Sequence, residues 1–245
     1  MSVGQIQRRK LSEAVLDRLM DRIGAGEFPP GSQLPSERDL MEAYGVGRPA
    51  VREALQSLER SGIINITHGE RARVAVPSAA GLVAQIAGGA QHLMRIAPGS
   101  VEHLKEARVF LEAGLARLAA ERASDDGVVA LGALIEQQRR ARARPRDFVN
   151  ADMAFHRQIA AMTGNPIFPA VVEAMFGWLG AHHRSLVRAP GAESLTLAEH
   201  ERIVAAIEAR DPAQAEAAMR DHLTRANALY GSLLRREAET AEVTS

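Results

Sequence analysis

Apolar residues recur along this chain at helical spacing, interrupted once by a short stretch of alternating character. Leu11, Val15, Leu19 and Ile23 fall four apart and predict a helix ending near Gly24, Ala25 and Gly26, after which Phe28-Pro29-Pro30-Gly31 turns the chain. Ser36 and Asp39 predict a capping box at the start of a short helix over about 36–44. Gly45 and Gly47 bracket Val46 in a tight turn that suits positive φ, and Pro49 falls in the first turn of the next helix, where its missing N–H costs nothing. On that helix Val51, Ala54, Leu55 and Leu58 share an apolar face, and Arg48, Arg52, Gln56 and Glu59 share the opposite one. After Gly62, the β-branched runs Ile63–Thr67 and Ala72–Val76 on either side of His68-Gly69 predict a hairpin. Helices and hairpin in this order describe a winged helix-turn-helix, with Arg48 and Arg52 at the end of the recognition helix that enters a major groove.

The wing ends at Val76-Pro77, and Pro77-Ser78-Ala79-Ala80-Gly81-Leu82 is a small-residue connection. Beyond it Pro98-Gly99, Ser124-Asp125-Asp126, Pro145, Gly164-Asn165-Pro166, Pro190-Gly191 and Asp211-Pro212 separate segments of 3.6-residue periodicity. The predicted helices run over about 80–95, 100–122, 125–143, 147–162, 166–188, 193–209 and 212–236, a set that builds an antiparallel bundle. The expectation is a mostly α protein: a DNA-binding domain over 1–77, a linker and coupling helix over 78–98, a helical domain over 99–236 and a flexible polar tail over 237–245.

Composition changes this picture little. With 46% hydrophobic residues and only 4% aromatics, the chain suits helical cores, and its formal net charge of zero gives no general attraction for nucleic acid. Residues 1–76 hold 11 Lys or Arg against 10 Asp or Glu, so the case for DNA rests on where the arginines point. The absence of cysteine excludes disulfides and thiolate metal sites. No apolar run approaches the roughly 20 residues that span a membrane, and a soluble cytoplasmic protein is expected. The G-x-G-x-x-A pattern at Gly45 follows a helix, not a strand, so a dinucleotide site is set aside.

Candidate chemistry concentrates in the predicted bundle. Asp152 and His156 are four apart and share a helix face, where they can hold one cation together. His200 lies on the stripe of Leu197, Ile203, Val204 and Ile207, and His222 on that of Met219, Ala226, Leu229 and Leu233. If these three helices pack around one centre, the product is an Asp/His₃ metal site; otherwise each histidine is a satisfied core residue. Arg108 falls within the apolar series Val101, Leu104, Leu111, Leu115 and Leu118, so its guanidinium needs an anion. Either a neighbouring glutamate or the carboxylate of a small ligand meets that need.

The stretch LPSERDLMEAYGVGRPAVREAL followed by the His-Gly turn resembles the winged helix-turn-helix of the GntR superfamily of bacterial transcription regulators. The segments RVFLEAGLARLAA, DMAFHRQIAAMTGNP, EHERIVAAIEARD and MRDHL look like the FCD effector domain of its FadR-type branch. KLSEAVLDRL, VGRPAVREAL, THGERARVAVPSA and HRQIAAMTGNPIF further resemble repressors of sialic acid utilisation more than the fatty-acid or gluconate regulators. The first resemblance implies DNA contact from Arg38, Arg48, Arg52, His68 and Gly69. The second implies a divalent metal at Asp152, His156, His200 and His222, with zinc favoured by the nitrogen-rich set and nickel or manganese as alternatives. It also implies an effector pocket beside the metal, lined by Arg108 and Asn165. His182 and His183 have no such support.

The functional expectation is a homodimeric DNA-binding regulator, a repressor by resemblance, that reads a palindromic operator and responds to a small organic acid: sialic acid, another sugar acid, an aromatic acid or a dicarboxylate. A metal-sensing regulator is the alternative. A metal-dependent hydrolase is the more distant one, since the HExxH spacing is absent around His200 and an enzyme has no use for a recognition helix and wing.

Overall fold

The computed structural model describes the backbone of residues 10–67, 69–182 and 192–243, and their side chains apart from 181–182 and 228–243. His68, expected at the wing tip, and His183 lie outside the described residues, as does the Pro190-Gly191 break. The chain forms two compact units that divide between Gln85 and Ile86, inside the stretch read from sequence as linker and coupling helix.

The first unit contains α1 (Leu11–Gly24), α2 (Glu37–Tyr44) and α3 (Arg48–Arg60), followed by the strands β1 (Ile64–Asn65) and β2 (Arg73–Val74). The capping box is present in both directions: Ser36 Oγ accepts from the Asp39 N–H at 3.2 Å, and Asp39 Oδ2 accepts from the Ser36 N–H at 3.0 Å. Gly45 closes α2 at φ 61°, whereas Gly47 is extended at φ −76° and serves as the N-cap of α3, so the turn needs one left-handed residue and not two. Val15, Leu19, Leu40, Val51, Leu58 and Ile64 pack into one core. Leu11, the first residue of α1, does not join them and is 63% exposed.

In the wing, Ile64 pairs with Val74 in antiparallel register. The other edge of β2 is also covered: the Gly31 N–H donates to the Val74 carbonyl at 2.8 Å, the Val74 N–H to the Ser32 carbonyl at 2.9 Å and the Leu34 N–H to the Ala72 carbonyl at 2.8 Å. The segment 31–34 thus blocks an edge that would otherwise expose backbone donors and acceptors.

The second unit is built from helices. α4 (Ala79–Ile96) runs through the division between the units and is followed by α5 (Ser100–Glu121), α6 (Asp125–Arg140), α7 (Pro145–Met162), α8 (Ile167–His182), α9 (Glu193–Glu208) and α10 (Pro212–Val243). The sequence punctuation acts as caps: Ser124 Oγ accepts from the Gly127 N–H, Asn165 Oδ1 from the Ile167 N–H and Asp211 Oδ1 from the Gln214 N–H. α5 packs against α7, α8, α9 and α10, and Ala113, Ala116, Ala119 and Ala120, all fully buried, let those neighbours approach closely. α10 continues through Val243, so residues 237–243 are helical where a flexible tail was expected. The run Glu237–Val243 contains no proline or glycine to stop a helix. Among the described residues, no helix is long and apolar enough to cross a membrane.

Candidate DNA interface and metal centre

On the first unit, the exposed face of α3 carries Arg48, Arg52, Gln56 and Glu59 while its opposite face closes the core. Glu37 ties the two arginines together, accepting from Arg52 Nε at 2.9 Å and lying 3.7 Å from Arg48 Nε. This carboxylate from the first turn of α2 holds both guanidinium groups at the N-terminal end of α3. Arg38, Arg52, Gln56, Gly69 and Arg71 line one surface concavity of about 620 Å³. Gly69 takes φ 80°, a conformation that L side chains rarely adopt, and so permits the tight wing turn. Glu59 Oε1 accepts from the Ile66 N–H at 3.3 Å and fastens the wing to α3. Sequence reasoning named Arg38, Arg48, Arg52 and Gly69 but passed over Arg71, whose only signal was its place two residues past the wing turn.

In the second unit His156 of α7, His200 of α9 and His222 of α10 converge, each able to offer a ring nitrogen within 4.8 Å of the others. All three are buried, with exposures of 1%, 0% and 4%. Asp152, one turn before His156, places Oδ1 3.5 Å from His200 Nε2. Phe155 stacks on the His200 ring with centroids 4.0 Å apart, and Phe176 lies against His156.

Each imidazole meets a side chain from a different helix at Nδ1, His200 and His222 by a hydrogen bond and His156 by an ion-pair contact. His200 Nδ1 meets Gln138 Oε1 of α6 at 2.8 Å, His222 Nδ1 meets Glu199 Oε2 of α9 at 2.9 Å, and His156 Nδ1 lies against Glu112 Oε2 of α5. Gln138 Nε2 also donates to Asp152 Oδ1 at 2.9 Å. The two glutamates are backed by arginines: Arg108 Nε donates to Glu112 Oε1 at 2.5 Å, and Arg225 forks onto both oxygens of Glu199. Arg108 also lies over the Phe176 ring, 4.0 Å from its centroid.

Electrostatics follow this geometry. Burial pushes His200 well below the usual imidazole value of 6.5, and the positive charges that would surround a protonated ring push the same way. Burial lowers His222 too, against an opposing pull from Glu199. Burial alone would raise Glu112, but the Arg108 charge and His156 hold it down at about 2. Burial therefore favours the neutral form of His200 and His222, the form that binds metal.

The residues fit a divalent ion. Both ring nitrogens of His156, His200 Nε2 and Glu112 Oε2 are buried without a hydrogen-bond partner among the described residues, an arrangement that is costly unless those lone pairs meet something else. Asp152 adds an anionic oxygen beside them. Asn165 is half-buried and its oxygen serves as the cap of α8. Sequence reasoning missed Glu112, Gln138, Glu199 and Arg225. The i,i+4 spacing of Arg108 and Glu112 was a usable signal, whereas nothing local marks Gln138.

A winged helix-turn-helix in a chain that also carries a helical domain defines a class of DNA-binding transcription regulator. The chain belongs to the GntR family of bacterial regulatory proteins, whose model matches residues 11–74, and carries an FCD domain, matched over residues 103–225. It is a DNA-binding transcriptional regulator and not an enzyme. The HTH-type transcriptional repressor NanR of Cronobacter sakazakii is 39% identical over 230 residues, spanning 93% of this chain and 88% of that protein. NanR of Salmonella schwarzengrund is 40% identical over 233 residues, with 93% and 87% covered. The solved structure of Streptococcus agalactiae GntR matches at a TM-score of 0.62 and 27% identity, covering 87% of this chain and 97% of that one.

Proposed function

We propose that the protein is a homodimeric repressor of the cytoplasm that reads a palindromic operator and releases it when a small organic acid binds beside a divalent metal in the FCD bundle. The observation that carries this reading is the convergence of His156, His200 and His222, with Asp152 adjacent, in a buried site that a scaffold alone does not require. Asp152, His156, His200 and His222 are the ligands, and zinc is the favoured ion. An ion held there supplies positive charge and coordination positions for a carboxylate oxygen.

Arg108 borders the centre through Glu112, and Asn165 lies at the start of α8, whose Phe176 packs on both His156 and Arg108. These two residues are assigned to the effector pocket. The similarity to NanR proteins supports the repressing sign and puts sialic acid first among the acids to test. On the DNA side Arg38, Arg48, Arg52, Gly69 and His68 make the contacts, the arginines to bases and phosphates and the wing residues at the groove edge.

The test is operator binding by fluorescence anisotropy on metal-loaded and chelator-treated protein, against sialic acid, other sugar acids, aromatic acids and dicarboxylates. One acid should lower operator affinity in the metal-loaded protein and fail to do so after chelation. Release by metal alone, with no acid active, would replace this reading with a metal sensor.

A further inference from the structure

Gln138 is a fully buried amide with both ends in use. Its nitrogen donates to Asp152 Oδ1 at 2.9 Å, so its oxygen faces His200 Nδ1 at 2.8 Å. An amide oxygen can only accept, so His200 must carry its proton on Nδ1 and keep its lone pair on Nε2. Glu199, 3% exposed, stands in the same relation to His222, and an ionised carboxylate also only accepts. Glu112, 2% exposed, lies against His156 Nδ1 as an ion-pair contact without hydrogen-bond geometry.

We propose that Gln138 and Glu199 are positioning residues of the metal centre, each fixing one imidazole by Nδ1 so that His200 and His222 present an unprotonated Nε2 toward His156, with the Glu112 carboxylate set against the third ring. This rests on reading the three histidines as ligands. The two grips share a plan: Gln138 on α6 holds His200 on α9, and Glu199 on α9 holds His222 on α10. Every grip crosses between helices, so ligand orientation is set by bundle packing and not by rotamer preference alone. Arg108 and Arg225 act one step further out, keeping the two glutamates charged and aimed. Packing alone would be served as well by apolar side chains, and among the described residues the Gln138 side chain hydrogen-bonds to Asp152 and His200. Outer partners of this kind raise ligand basicity and typically govern 10–100-fold in metal affinity.

The experiment uses the full chain in three variants, Gln138→Leu, Glu199→Leu and Glu199→Gln. Zinc affinity is read by chelator competition, the cobalt-substituted visible spectrum reports ligand geometry, and metal-free melting controls for folding. Both leucine variants should bind zinc about 10–100-fold more weakly with altered cobalt bands. Glu199→Gln should stay closer to wild type, because its amide oxygen still accepts from Nδ1–H. Should Glu199→Leu fail to fold with Arg225 unpaired, Gln138→Leu carries the test, since it strands no charge. Wild-type affinity and spectrum in Gln138→Leu and in every folded Glu199 variant would overturn the positioning role alone. A wild-type protein that takes up no zinc or cobalt overturns the ligand assignment and this inference with it.

Discussion

Arg108 and Glu112 face each other one turn apart on α5, Nε to Oε1 at 2.5 Å, with side chains 6% and 2% exposed. Of the two anions that the sequence left open for Arg108, the glutamate is present. Removing one partner of such a pair leaves a buried charge uncompensated, which costs about 3–5 kcal/mol. Arg108→Ala is therefore expected to lower the unfolding free energy of the metal-free protein by about that amount, and Arg108→Ala with Glu112→Ala should cost less than the sum of the single changes. Denaturant melts of the four proteins of this cycle check it. Additive effects would show that the pair is not coupled.

The same logic applies at the surface with a different magnitude. Arg48 and Arg52 are about 60% exposed and meet Glu37 in solvent, so their ion pairs contribute little to folding. In the proposed reading their weight falls on DNA. Arg48→Ala and Arg52→Ala should each leave the melting temperature nearly unchanged and weaken specific operator binding by about 1–3 kcal/mol where the contact is bidentate to a base. Anisotropy at two salt concentrations separates this from a phosphate contact, which would reduce the salt slope instead. Wild-type affinity in both variants would show that the recognition face lies elsewhere.

The elements legible in the sequence were those specified locally. The capping box at Ser36 and Asp39, the proline in the first turn of α3 and the apolar face of Val51, Ala54, Leu55 and Leu58 each depend on neighbours within a turn or two. The convergence of His156, His200 and His222 depended on helix packing but was hinted at by histidines sitting on apolar stripes. What stayed hidden was long-range or two-sided. The cover over β2 by residues 31–34 pairs segments about 40 residues apart, and Gln138 carries no periodic or charge signal because its role is defined by Asp152 and His200 on two other helices. The extent of α10 was missed for the opposite reason: a polar composition was read as a tail although its helix propensity is high.

α4 leaves a second apolar stripe uncovered. Val83 and Met94 are buried, but Leu82, Ile86, Leu93 and Ile96 are 57%, 58%, 56% and 63% exposed. Their steps of four, seven and three follow a 3.5-residue repeat, the spacing of a helix seam that pairs with a copy of itself. Exposed large aliphatics in line are the mark of an interaction surface, and a two-fold pair of winged domains is what a palindromic operator demands. If the proposed dimer pairs through this seam, Leu93→Glu shifts it to monomer in sedimentation velocity and weakens operator binding. A variant that stays dimeric would place the interface on another face.

The final prediction concerns pH in the absence of metal. His200 and His222 have folded-state values below 6.5, their unfolded value, because burial disfavours the charged ring. A depressed value means that the unfolded chain takes up protons first as pH falls. The stability these histidines contribute is thus fully present above pH 6.5 and is lost as pH drops from 6.5 through their folded-state values. Glu112 and Glu199 are also depressed, from 4.5, so what they contribute persists until the pH falls below 4.5. Between 6.5 and 4.5 the loss belongs to His200 and His222. Chelator-treated protein should therefore melt at a markedly lower temperature at about pH 5 than at about pH 7.5, and His200→Gln, which cannot be protonated in this range, should flatten that limb. A metal held at this centre would add to the effect, since each ligand nitrogen must be unprotonated to coordinate. Identical melting temperatures at the two pH values in the chelator-treated wild type would mean that the imidazoles are protonated in the folded protein, and the neutral, lone-pair-forward arrangement of the centre would have to be abandoned.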